Sequence, residues 1–458
     1  MSGDVVALIA VAVLFVLIAI EVPIALALMG SGILGLALLG QAGNVTNILG
    51  STAYSSTAKY ALFVICMYVL LGSLISNAGI GVAIYRSVNR IVGRLPGGLA
   101  ATAVGATTLF SGISGSSAAD VAAFGRISVN EMSRHGYRRE YAAAVVAAAG
   151  AFAALIPPAI GFVLYGIVAE ESISALIFAG IVPGILSCVL LALFVVVRAR
   201  FTPQDRRQDF GGRPASATDQ VTAIDAPASR GMLARFVHGD AWGIVYALVI
   251  FTIVVGGLYS GQFTATEAGA IGVVVAAAIT VVEVLKRRKS LFRTLSVSFR
   301  ESIATSSMIF LLIIGGGVFG YMMTLSGLPQ ALTRSIESSG FPPLAVAGLM
   351  LLLLIPLGMV LDGLTLMLVV VPLIAPVVNG LGLDGIWFGV LVLKAVEIGL
   401  ITPPVGLNVF IISAATGAKV ENVFRFLVPF VALDLAFTAV LFIFPEIVLW
   451  LPRMVGLL

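Results

Sequence analysis

The stretch LFSGISGSSAADVAAFG, residues 109–125, sets four serines, an aspartate and three glycines inside almost unbroken apolar sequence. The arms on either side, residues 97–110 and 118–131, hold 14 residues each. At 1.5 Å per residue, a helical arm of that length reaches about 21 Å, short of the roughly 30 Å hydrocarbon core of a bilayer. Beyond the arms lie Arg86, Arg90 and Arg94 on one flank and Arg134, Arg138 and Arg139 on the other. Both outer ends therefore fall on the side that collects basic loops, the cytoplasm. Two short arms that start and finish on one side describe a re-entrant hairpin, its polar tip (residues 111–120) near mid-depth. Such backbone is tolerated only against protein or water, because lipid cannot satisfy its N–H and C=O groups. From these residues alone, two short tilted spans with serines packed between helices remain the alternative.

Composition supports a membrane setting. Of 458 residues, 60% are hydrophobic and only 10% charged, with a mean hydropathy of +1.12. Soluble domains carry about a quarter charged residues. The pI of 9.1 does not point to nucleic acid. Twenty of the 26 Lys and Arg fall within residues 86–139, 198–235 and 286–300, as loops on one membrane face would. Cys66 and Cys188 both lie in apolar runs, which excludes a disulfide framework and a cysteine metal cluster. The start MSGD lacks the basic head of a cleavable signal, so the apolar run that follows reads as structure.

Candidate spans are residues 5–39, 61–77, 141–168, 173–197, 241–258, 264–285, 302–325, 386–415 and 423–451, the first long enough to be two spans broken near Pro23. Residues 198–240, rich in Arg, Asp, Ser, Gly and Pro, read as a flexible cytoplasmic loop.

A gapless shift of 246 residues brings backbone-special residues into coincidence. Pro96 meets Pro342, Gly112 meets Gly358, Gly136 meets Gly382, Pro157-Pro158 meets Pro403-Pro404, and Pro183 meets Pro429. Glycine and proline dictate backbone geometry, so the coincidence predicts a duplicated architecture. The second hairpin then runs from residues 343–356 through the tip GMVLDG (residues 358–363) and back through residues 364–378. Between Ser335 and Gly385 there is no Lys or Arg, and five spans separate the hairpins. Charge bias and span parity thus both put the second hairpin's entry on the opposite face. The expected fold is an all-α polytopic membrane protein with an inverted-topology repeat, a pattern typical of secondary transporters.

After each hairpin comes a helix with a double proline, AALIPPAIGF (residues 153–162) and GLITPPVGLN (residues 399–408). Proline removes an N–H and clashes one turn back, so two discontinuous helices are expected, 141–168 and 386–415. Their free carbonyls suit a cation and their half-helix N-termini suit an anion. The expected organisation is scaffold (1–95), first transport part (hairpin 96–133, broken helix 141–168, span 173–197), loop (198–240), scaffold (241–341) and second transport part (342–458; hairpin 343–378, broken helix 386–415, last span 423–451).

Taken together, GISGSSAADVAAFG, IPPAIGFVLYG, SISALIFAGIVPGIL, LDGLTLMLVVVPLIAPV and EIGLITPPVGLNVF resemble the large membrane subunit of tripartite ATP-independent periplasmic (TRAP) transporters over nearly the whole chain. The resemblance implies a sodium-driven, elevator-type importer of organic anions in the bacterial inner membrane. It implies two partners besides the lipid bilayer, a periplasmic substrate-binding protein and a small four-helix membrane subunit, the latter expected as a separate chain. Sodium is the expected coupling ion and no organic cofactor is expected. Where the family usually has Ser after the first double proline, this chain has Ala159.

Sodium, a hard cation, prefers carbonyl, hydroxyl and carboxylate oxygens. The first expected site joins Ser111, Ser114, Ser116 and Ser117 to the break at Pro157–Gly161. The second joins Asp362 and Thr365 to Thr402, Pro403 and Gly406. Ser116, Asn408 and Lys394 are the expected substrate contacts. A carboxylate inside a span is costly unless paired, protonated or ion-bound, which singles out Asp362, whose alternative is pairing with Lys394 or a tip near water. Asp120 is expected to cap the first hairpin's second arm. Lys394 and Glu397, three apart, can pair. Glu21, Glu267, Glu283 and Asp434 receive no role.

An intramembrane serine protease would need a base, and the two histidines, His135 and His238, fall in expected loops. An aspartyl pair of Asp120 and Asp362 leaves the repeat without a purpose. The rival reading is a sodium/dicarboxylate symporter of similar fold that needs no binding protein.

Overall fold

The computed structural model describes residues 2–157, 159–201, 242–288 and 290–458. Pro158 and all but the first residues of the expected 198–240 loop lie outside them. Among the described residues every regular element is helical, and nine helical runs are long and apolar enough to cross a membrane. The chain is a multi-pass membrane protein.

The first half opens with α1 (Gly3–Ala19) and α2 (Ile24–Leu36), separated at Pro23, which caps α2. It continues through α3 (Val45–Thr57), α4 (Phe63–Asn77) and α5 (Ile80–Val92). The first hairpin is α6 (Gly98–Ser114) and α7 (Ser117–Arg134); the broken helix is α8 (Arg139–Ala153) and α9 (Ile160–Ala169), followed by α10 (Ile173–Phe201). The second half runs α11 (Trp242–Tyr259), α12 (Ala265–Lys286), α13 (Leu291–Ser326) and α14 (Leu328–Ser339). Its hairpin is α15 (Pro343–Val360) and α16 (Gly363–Gly380), and its broken helix α17 (Gly385–Leu400) and α18 (Leu407–Thr416). Then come α19 (Val420–Ile443) and α20 (Glu446–Met454).

The 246-residue shift read from Gly and Pro also aligns the helices. It carries the bounds of α7 onto those of α16, the start of α8 onto that of α17, and Val45 of α3 onto Leu291 of α13. One difference stands out. The single 36-residue α13 corresponds to both α3 and α4, which are parted by a short turn at residues 58–62.

Both hairpins stop short of the far side. A four-residue turn links α7 to α8, so tip and break lie 15 to 18 residues from one face, and α9 continues for 10 more. The second repeat is the same, with α16 of 18, α17 of 16 and α18 of 10 residues. Ten residues rise about 15 Å, which is the depth each tip leaves uncrossed.

The hairpin arms are longer than the expected 14 residues. They measure 17 and 18 in the first hairpin and 18 and 18 in the second, because the polar residues assigned to the tips continue the helices. The repeats interlock. Each outer arm packs on its own broken helix (α6 on α8, α15 on α17), while each return arm packs on the second half-helix of the other repeat (α7 on α18, α16 on α9). Arg126 Nε and Arg139 Nη1 donate to the carbonyls of Ala415 and Thr416, each at 3.2 Å, satisfying the end of α18. Around this unit, α2 and α4 pack on α13, and α4 also on α12.

Candidate functional site

Only Gly115 and Ser116 lie between the helices of the first hairpin. Gly115 takes the left-handed conformation (φ 66°) that glycine adopts without steric cost, and so closes α6. Ser116 then caps α7, its hydroxyl accepting the Ala119 N–H. Asp362, which the 246-residue shift aligns with Ser116, caps α16. Its carboxylate accepts the N–H groups of Leu364 and Thr365 at 3.1 and 3.2 Å and the Thr365 hydroxyl.

Each tip reaches the break beside it. The Ile160 N–H donates to the Gly115 carbonyl and the Gly406 N–H to the Met359 carbonyl, both at 3.3 Å. The peptide bond between Pro403 and Pro404 is cis.

A cavity of about 990 Å³ opens between the two tips. Of the expected site residues it is lined by Ser114, Ser116, Ser117, Gly161, Asp362 and Thr365. Two segments far apart in sequence thus present hydroxyl and carboxylate oxygens, the donor set a hard cation takes, to one space. Pro157, Thr402, Pro403, Gly406 and Asn408 lie outside its lining. Ser111 is buried elsewhere, its hydroxyl donating to the Ala153 carbonyl at 2.8 Å. The Thr402 hydroxyl turns back to the Ile398 carbonyl. Asn408 is fully buried, and neither its Oδ1 nor its Nδ2 has a hydrogen-bond partner.

Three side-chain expectations are corrected. Lys394 pairs with neither Glu397 nor Asp362. It is wholly buried in an ion pair with Asp434 on α19, its ammonium 4.8 Å from the Phe152 ring centre and away from the cavity lining. The reason is packing, since α17 lies against both α8 and α19. Asp120 does not cap α7, because Ser116 does; its buried carboxylate accepts the Ser114 hydroxyl and ties the two arms together. Glu397 instead lines the cavity, as does Ser117.

The opposite wall of the cavity includes Glu21, Ser73, Ser76, Glu301 and Thr305, residues that sequence reasoning left without a role. The signal was a polar stripe at helical spacing, Ser298, Glu301 and Thr305 on one helix and Ser73, Ser76 and Asn77 on another.

The family model described as "Tripartite ATP-independent periplasmic transporter, DctM component" matches residues 11–447. The chain belongs to this family. The C4-dicarboxylate TRAP transporter large permease protein DctM of Pseudomonas aeruginosa is 31% identical over 404 residues, covering 88% of this chain and 89% of its own. The 2,3-diketo-L-gulonate TRAP transporter large permease protein YiaN of Escherichia coli is 29% identical, with 88% and 89% covered. The sialic acid TRAP transporter large permease protein SiaM of Vibrio cholerae is 28% identical, with 86% and 87% covered. The Alcanivorax borkumensis YdaH transporter shares the fold, with a TM-score of 0.59 at 15% identity over 88% of this chain and 89% of its own. As a TRAP large subunit, the chain serves transport.

Proposed function

We propose that this TRAP large subunit imports an organic acid across the bacterial inner membrane, driven by sodium. A separate periplasmic binding protein delivers the cargo, and a separate small four-helix membrane subunit completes the complex. The observation that carries this reading is the cavity where both hairpin tips converge, lined by Ser114, Ser116, Ser117, Asp362 and Thr365. Sodium would take hydroxyl oxygens from the first tip, carboxylate and hydroxyl oxygens from the second, and carbonyls from the break beside each. The cargo's carboxylate would meet the N-terminus of α7, capped only by the neutral Ser116 hydroxyl, where the helix dipole favours negative charge.

Alternating access would follow an elevator. The interlocked hairpins and broken helices form one unit, and α1–α4 with α11–α13 form the frame against which it slides. The basic ends of α5, α7 and α10 would face the cytoplasm.

The test is uptake into proteoliposomes holding both membrane subunits, with the cognate binding protein outside. Its cargo is identified first by a thermal-shift panel of C4-dicarboxylates, sugar acids, sialic acid, ectoine and taurine. Uptake should require external sodium and the binding protein, and Asp362→Ala should abolish it while the complex still assembles. Uptake by this chain alone, without the other components, would favour the binding-protein-independent symporter.

A further inference from the structure

The two walls of the cavity differ in character. One belongs to the repeat unit and carries the hairpin tips together with Glu397 of α17. The other is the frame, where the α1–α2 turn, α4 and α13 contribute Glu21, Ser73 and Glu301.

Glu301 is held in place. Its Oε2 accepts the Ser73 hydroxyl and the Asn77 Nδ2, each at 2.7 Å. Asn77 also bonds the Ser298 hydroxyl at 3.2 Å, so α4 and α13 are tied together beneath the carboxylate. With both of these bonds on Oε2, the lone pairs of the other oxygen are left for a donor in the cavity that Glu301 lines. Glu21 adds a second frame carboxylate from a turn, exposed and at φ 64°. Across the cavity, Glu397 belongs to the opposite wall, its Oε2 buried rather than open to the shared space.

Carboxylates lining one cavity accept from hydroxyl or ammonium groups and repel a second anion, the repulsion being moderated by solvent where, as at Glu301, the side chain is exposed. Resting on the reading that the cavity admits the cargo, we propose that the cargo is a monocarboxylate with hydroxyl or ammonium donors at its far end. Glu301, positioned by Ser73 and Asn77, is the residue that recognises that end. The cargo's own carboxylate goes to the first hairpin tip, at the Ser116-capped start of α7, and leaves the donors facing the frame. A dicarboxylate placed the same way would set its second carboxylate against Glu301. Like charges about 5 Å apart, at dielectric values between water and a protein surface, cost roughly one to two orders of magnitude in affinity.

The experiment uses the purified complex of the two membrane subunits in sodium-containing buffer. Its melting temperature is titrated with gluconate, 4-aminobutyrate and succinate. Gluconate or 4-aminobutyrate should stabilise the complex at concentrations at least about tenfold below those at which succinate does. Glu301→Gln should close most of that gap, with succinate gaining affinity and the donor-ended acid losing it. Asn77→Ala, which removes an anchor and keeps the charge, should fall between. The sodium-induced shift should survive in both variants. Succinate binding as well as the other two, or an unchanged ratio in Glu301→Gln, would overturn the assignment. A sodium shift with no response to any of the three acids would also overturn it while leaving sodium coupling standing. Loss of the sodium shift in the unaltered complex would instead remove the coupling reading.

Discussion

The Ile160 N–H donates to the Gly115 carbonyl 3.3 Å away, so the tip of the first hairpin bonds to the start of α9, across the gap where α8 has ended. Gly406, which stands at the equivalent position 246 residues on, does the same toward Met359. In each repeat a half-helix N-terminus with unpaired N–H groups is matched to a hairpin that ends in unpaired carbonyls. Each of these bonds satisfies one donor and one acceptor that lipid could not.

This arrangement needs close approach of α15 and α17. A Cβ at Gly399 would fall 2.6 Å from the Gly358 carbonyl carbon and 2.9 Å from the Ile355 carbonyl oxygen. Those neighbours are backbone and cannot rotate away. Gly399→Ala should therefore cost about 1–3 kcal/mol and lower the melting temperature of the purified protein. Gly43→Ala is the control, since a Cβ there meets nothing within 4 Å. Equal melting of the two variants would contradict the interlock.

The hairpins, the breaks and the repeat were legible in the sequence because glycine and proline act through their own backbone, whatever surrounds them. Gly115 and Pro403 mark their turns without reference to any partner. Side-chain partners were a different matter. Lys394 lay three residues from Glu397 in sequence but meets Asp434, 40 residues on, because α17 and α19 are packed together. Ser111 and Ser114 read as turn residues, yet they extend α6, their hydroxyls taken up by Ala153 and Asp120. The frame wall around Glu301 was hidden for a similar reason, since it is assembled from α4 and α13, more than 220 residues apart.

Orientation is tested by chemical access. His135 follows α7, and Asn379 lies at the far end of α16; both are exposed. In a chain with Cys66 replaced by serine, Asn379→Cys should react with a membrane-impermeant maleimide added to spheroplasts. His135→Cys should react only after the membrane is opened. The reverse pattern would invert the assignment of faces, and equal labelling of both would deny that the hairpins enter from opposite sides.

Glu171 sits in the turn between α9 and α10, its Oε1 2.0 Å from where a Cβ on Gly385 would lie. Burial, and then the charge of nearby Asp384, hold its pKa above the usual glutamate value. The folded chain therefore keeps this proton to higher pH than the unfolded chain does. The associated stability is full below the unfolded pKa and is lost as pH rises through the folded one. Glu171→Gln should melt above the unaltered protein at neutral pH, with the difference closing in acid. Because the group is partly exposed, the effect should be small and should shrink with added salt. A difference that grows as pH falls would reverse the sign and refute the assignment.

The Lys394–Asp434 pair separates a structural from a binding role. The lysine ammonium is enclosed by Asp434, whose Oδ1 it bonds, and the rings of Phe152 and Phe437, while Asp434 Oδ2 has no hydrogen-bond partner. Lys394→Met leaves a buried carboxylate without its counter-charge, which typically costs about 3–5 kcal/mol. Replacing both members, as Lys394→Met with Asp434→Leu, removes the charge and its partner together and should recover most of the lost stability. The sodium-induced thermal shift should return with it, because neither side chain lines the cavity. If Lys394 held cargo instead, the single variant would melt normally and lose transport, and the second substitution would restore nothing.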